Sequence, residues 1–226
     1  MSMPFYVSPE QVIADKSKFA RTNIAKGRAL LAMQYADGIM LAAENPSNTI
    51  HKVAELYDRI GFGGVGKINE FDQLRQFGVR WADVQGFRYS REDVHAKELA
   101  NTYGQVIGQT FTHDLKPMEV ELLIAEVGDT AAEDELYRVT FDGLFVDEER
   151  YCVLPSDAEA IQTRVKDAYQ DGLSLQDAFT LATKALAGPD RTLTAHDLEV
   201  AVLERSARRR AFRRFTQDEM TGLLGS

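Results

Sequence analysis

The chain has 226 residues, 44% of them hydrophobic and 27% charged, a balance that excludes disorder over most of its length. Thirty-five acidic against 26 basic side chains leave a net charge of −9, so neither nucleic acid nor an anionic membrane surface is the expected partner, since both call for a basic field. The lone cysteine, Cys152, excludes an internal disulfide and a multi-thiolate zinc site, and no apolar run reaches the roughly 18–20 residues of a membrane span.

The chain starts Met-Ser-Met-Pro-Phe-Tyr-Val, without a basic region or a small-residue cleavage site, so no signal peptide and a cytoplasmic location are expected. Residues 10–26, with Val12, Ile13, Phe19, Ala20 and Ile24, predict a helix that ends at Gly27 in a left-handed C-terminal position. Segments 29–35 and 39–43 flank Asp37-Gly38 and predict a hairpin whose two turn residues take positive φ. Segments 51–56 and 60–65 predict a second pair of strands. Ile68, Phe71, Leu74 and Phe77 recur at helical spacing and are expected to stop at Gly78. Ser90 with Asp93 predicts the start of a second helix, with Leu99, Tyr103, Val106, Ile107 and Phe111 on one face.

Strands return at 120–127, 136–141 and 144–153, the last two joined by Asp142-Gly143. Ser156 with Glu159 reads as a capping box for a helix carrying Ile161, Val165, Ala168 and Tyr169. Ser174 opens another helix, which Gly188-Pro189 ends. A strand over 198–203 precedes a stretch from Arg208 that is read as helical. Antiparallel runs of strands with helices in adjacent pairs exclude strict strand–helix alternation. They predict an α+β fold, a four-layer α/β/β/α sandwich of two antiparallel sheets flanked by helix pairs, in one domain over residues 1–226.

Gly61, Gly63 and Gly66 fit G-x-G-x-x-G, but hairpins on both sides deny the parallel sheet that a dinucleotide site needs. A strand passing close to a neighbouring backbone is the expectation there. Arg205, Arg208, Arg209, Arg210, Arg213 and Arg214, with Phe212 and Phe215 among them, are expected to pair with acidic neighbours in an assembly. His51, His95, His113 and His196 stand in no metal-binding frame, so no metal and no cofactor are expected. Glu119 and Glu121 share a strand face, and solvent-facing alternation explains them better than an acid–base pair. Cys152 reads as a small buried hydrophobe. No pattern nominates a catalytic residue.

Several strings, in this order of elements, resemble the α-type subunits of actinobacterial proteasomes. They are Ser8-Pro9-Glu10-Gln11, Asp37-Gly38-Ile39, Ala43-Glu44-Asn45-Pro46-Ser47, His51-Lys52-Val53-Ala54-Glu55-Leu56-Tyr57-Asp58-Arg59, Tyr137-Arg138-Val139-Thr140-Phe141-Asp142-Gly143 and Ala211-Phe212-Arg213-Arg214. The likeness runs over nearly the whole chain and implies the N-terminal-nucleophile hydrolase fold. A catalytic member of that superfamily begins, after processing, with Thr, Ser or Cys at the first strand. Here the place reads Lys26-Gly27-Arg28-Ala29, and Arg28 has no group that attacks. Lys52 and Glu44 match the lysine and acid that attend the nucleophile of β-type subunits, which is the pattern of a non-catalytic relative.

The resemblance therefore implies a structural and gating subunit, in a seven-membered α-ring stacked on catalytic β-subunits. Its other implied partners are a ring-shaped AAA ATPase and the unfolded proteins that the ATPase delivers. Lys52, with Gly27 and Lys67, maps to a pocket between adjacent subunits that receives the ATPase's C-terminal carboxylate. Residues 1–9 map to a gate, with Met1, Met3, Phe5 and Tyr6 as an apolar plug and Pro9 in the supporting turn. Residues 10–26 map to an N-terminal helix and 205–226 to a basic C-terminal tail. The Tyr-Asp-Arg string that precedes this turn in archaeal and eukaryotic relatives is missing, and Phe19 replaces a tyrosine. The alternatives are a self-processing N-terminal-nucleophile peptidase and a nucleotide-binding regulator using residues 61–66.

Overall fold

Most strands of this chain have two faces to bury. All residues of β1 (Leu30–Tyr35) and β2 (Gly38–Glu44) are buried, and their side chains alternate between two cores. Leu30, Ala32, Ile39 and Leu41 enter one; Leu31, Met33, Met40 and Ala42 enter the other. The computed structural model describes residues 8–47 and 49–225, so the gate residues Met1, Met3, Phe5 and Tyr6 lie outside the described residues.

The remaining strands are β3 (Val53–Tyr57), β4 (Ile60–Gly66), β5 (Val120–Glu126), β6 (Glu135–Val139), β7 (Phe145–Glu148), β8 (Tyr151–Leu154), β9 (Leu198–Glu204) and β10 (Phe212–Arg214). They form two five-stranded antiparallel sheets, in the orders β10-β9-β2-β1-β8 and β3-β4-β5-β6-β7. Helices α2 (Ile68–Arg88) and α3 (Ala96–His113) cover the outer face of the second sheet. Helices α4 (Glu159–Ala168), α5 (Leu175–Ala187) and α6 (Gln217–Leu224) cover the first. Helix α1 (Pro9–Ile24) lays Ala20 and Ile24 against the core between the sheets. The result is the expected four-layer α/β/β/α sandwich.

Several local expectations fail, most of them because a distant group takes over. Gly27 has no positive φ; its N–H bonds the Ile24 carbonyl at 2.8 Å, and a Cβ would lie 3.0 Å from that oxygen. The β1–β2 loop is Ala36-Asp37, and Gly38 pairs with Tyr35. Only Gly38 there has positive φ, at 153°, where a Cβ would meet the Leu203 carbonyl oxygen at 1.9 Å. Helix α2 runs through Gly78, where a side chain would collide with the Tyr103 hydroxyl; that hydroxyl donates to the Leu74 carbonyl at 2.9 Å. A glycine read as a stop is a notch for a tyrosine.

Ser90 caps only the short turn Arg91–Asp93, and α3 begins at Ala96, whose N–H donates to Glu126 at 2.6 Å. The run 144–153 is two strands: β7 pairs with β6, and β8 pairs with β1 in the other sheet. Ser156 caps no helix, because its N–H and hydroxyl both donate to Glu121 at 2.7 Å. Glu121 is therefore buried rather than solvent-facing, and burial pushes its carboxyl above the usual range. From Arg208 onward the chain first adds strand β10 and only then helix α6, which Thr216 and Glu219 cap. Cys152 is buried as expected, and burial pushes its thiol up.

Candidate functional site

Three chain junctions converge beside the N-terminal end of β1. Gly27 and Arg28 link α1 to β1, Lys52 precedes β3, and Lys67 links β4 to α2. The Lys52 Nζ donates to the Arg28 carbonyl at 2.6 Å. Gly27 packs on Gly66, so closely that a Cβ would stand 3.4 Å from the Gly66 nitrogen. Lys52 thus reaches the backbone next to Gly27, and Lys67 follows the glycine that Gly27 packs on.

The Lys52 ammonium is half-buried, and this desolvation lowers its pKa to about 8. Glu44 and Glu199 oppose the shift, while Arg28 adds to it. Glu44 itself is occupied elsewhere: Arg191 grips it with two nitrogens at 3.0 and 3.1 Å, and the half-exposed Arg28 side chain bonds the same carboxylate. The site thus holds two guanidiniums sharing one carboxylate, and a lysine on a carbonyl.

Lys52 is held from behind by a residue that the sequence pattern did not single out. The buried carboxylate of Glu199, on β9, accepts from the Lys52 N–H at 2.8 Å and from Asn45 Nδ2 at 2.7 Å. It also bonds Arg214, whose second nitrogen donates to the Val53 carbonyl at 2.7 Å, and lies 3.1 Å from His51 Nδ1. The only signal in the sequence is one acid in the apolar strand Leu198-Glu199-Val200. Lys67 stands over Glu70 and Lys116, which the pattern missed, and over Glu119, which precedes β5 and is largely covered rather than solvent-facing.

The other motifs resolve into packing and internal charge pairing. Gly61 and Gly63 make room for Leu203 and Leu30 of the facing sheet, Gly64 for Phe71, and Gly66 for the Glu119 carbonyl. Side chains more than backbone fill that strand's flanks. The arginines expected to await acidic neighbours in an assembly find several within the chain. Arg205 pairs with Asp134, Arg210 with Glu55, Arg213 with Glu204 and Glu219, and Arg214 with Glu199. Among the described residues no group of His, Cys, Asp and Glu is arranged to hold a metal ion, and no helix is long and apolar enough to cross a membrane.

A family model described as "Proteasome subunit" matches residues 24–203. Several curated relatives carry the description "Proteasome subunit alpha". The one from Saccharopolyspora erythraea is 50% identical over 229 residues, which span 100% of this chain and 90% of the relative. The one from Acidimicrobium ferrooxidans is 49% identical, over 100% of this chain and 97% of the relative. The one from Mycolicibacterium vanbaalenii is 50% identical, over 99% of this chain and 91% of the relative.

Proposed function

Since this chain belongs to the proteasome family, with α-type subunits of actinobacteria as its relatives, we propose that it is the non-catalytic, gating subunit of a proteasome core particle. It forms a seven-membered outer ring on β-subunits that carry the threonine nucleophile. A ring-shaped AAA ATPase docks on this ring and feeds unfolded proteins through its axis. The observation that carries the reading is the arrangement at Arg28. The nucleophile's place holds a guanidinium tied to Glu44, while the lysine ammonium is kept, half-buried and turned to a backbone carbonyl. An ammonium so placed is suited to receive a carboxylate rather than to activate a hydroxyl. Lys52 is therefore the principal contact for the ATPase's C-terminal carboxylate, with Gly27 and Lys67 as its surroundings.

The gate is assigned to residues 1–7, leading into α1. Ser8 belongs to the helix, since its hydroxyl accepts the Gln11 N–H at 3.2 Å and Pro9 occupies the first helical turn. Deleting residues 1–7 while keeping Ser8 is therefore expected to raise hydrolysis of long peptides by the assembled particle more than that of short ones. The melting temperature should stay unchanged, because the cap survives. Equal rates for wild-type and truncated particles on both peptides would remove the gate from this segment.

A further inference from the structure

Two carboxylates stand close to the proposed docking site, where they would repel the group it is read to bind. Glu70 lies in the first turn of α2 and Glu119 immediately precedes β5; their side chains are only 16% and 12% exposed. Both are fixed by backbone contacts as well: the Glu119 N–H donates to Glu70 Oε2 at 2.7 Å, and the Lys67 N–H donates to the Glu119 carbonyl at 2.8 Å. Lys67, the nearer to the Gly27–Gly66 contact, holds these carboxylates loosely, at 3.3 Å from Glu70 and 4.0 Å from Glu119. Lys116, in the loop between α3 and β5, holds them tightly, at 2.7 and 2.5 Å. Burial works against the ionised form of Glu70, but the bonds from Lys116 and the Glu119 N–H hold its carboxyl below the usual range.

Two carboxylates and two ammoniums make a neutral group. Without Lys116 the same group would carry a net negative charge, and Lys67 would be drawn more closely onto Glu70 and Glu119. We propose that Lys116 is a positioning residue for docking. By holding Glu70 and Glu119 more closely than Lys67 does, it leaves the half-exposed Lys67 ammonium only loosely paired and available to the carboxylate of the docking peptide. The inference rests on the docking reading given above, and its test separates the two.

The test uses assembled core particles and two synthetic peptides copying the last residues of the activating ATPase, one with a free C-terminal carboxylate and one amidated. Lys116→Met is expected to weaken binding of the free-acid peptide about three- to tenfold, with the amidated peptide unaffected. Lys116→Arg should restore the loss. Glu119→Gln alone should tighten binding of the free acid about threefold, and the pair Lys116→Met/Glu119→Gln should return it to near the wild-type value. Glu119→Gln keeps Lys116, so it reports even if Lys116→Met fails to assemble. Unchanged binding in Lys116→Met, equal loss for both peptides, or no effect of Glu119→Gln would each overturn the role of Lys116. A wild-type particle that binds free-acid and amidated peptides equally would overturn the docking reading itself.

Discussion

Lys52→Ala is expected to weaken binding of the activator's C-terminal peptide to the assembled particle by about tenfold to a hundredfold, the worth of one charge-assisted hydrogen bond. The variant removes only the ammonium: the Lys52 N–H keeps its bond to Glu199 at 2.8 Å, so the path of the backbone into β3 is retained. Native mass should accordingly report the wild-type assembly. The same group makes docking pH-dependent. Desolvation brings Lys52 to about 8, so the ammonium is present at pH 7 and is lost as the pH rises through that value. Because a carboxylate binds only the charged form, affinity should fall by up to about tenfold per pH unit above this point, and the Lys52→Ala particle should lose that slope. Titration calorimetry at several pH values reads both effects. Affinity that is unchanged in the variant would move the carboxylate contact to Lys67.

Glu199→Ala should destabilise the folded chain by about 3 kcal/mol, the cost of leaving a buried ionic partner without its counter-charge. The carboxylate holds Arg214, Asn45 and the Lys52 backbone together, across the junction between β9 and the loop that leads to β3. Removing it leaves the Arg214 guanidinium, 30% exposed, with the Val53 carbonyl as a remaining acceptor, and leaves the Lys52 N–H unpaired. Glu199→Gln keeps an acceptor oxygen and should lose less. Urea unfolding measures the difference. An alanine variant within about 0.5 kcal/mol of wild type would show that these bonds are replaced by water at no cost.

The layers of this fold were legible from the sequence because the strands are apolar on both faces. Runs such as Leu30-Leu31-Ala32-Met33 serve one core between the sheets and another under the helices. The break at Glu149-Arg150 was passed over although the charged run Asp147-Glu148-Glu149-Arg150 marks it: β7 is exposed or half-buried and pairs with β6, and only β8 turns inward to pair with β1 of the other sheet. Gly78 and Ser156 misled for a different reason: the groups that decide their roles, the Tyr103 hydroxyl and the Glu121 carboxylate, come from other elements. At the site, likeness to a family singled out Lys52, Gly27 and Lys67, but spacing alone did not. Glu199 and Arg191 stayed unread because they meet their partners only after the sandwich closes, as Lys116 does with Glu70.

The central claim is that this chain binds and gates while the β-subunit performs the chemistry. It is tested most directly by assembling the chain with its β-subunit, treating the particle with a threonine-directed covalent inhibitor, and weighing each subunit by intact mass spectrometry. Stoichiometric label is expected on the β-subunit and none on this chain, whose mass should show no cleavage ahead of β1. Label on this chain, or a mass that shows cleavage ahead of β1 to leave a Thr, Ser or Cys as the first residue, would contradict it.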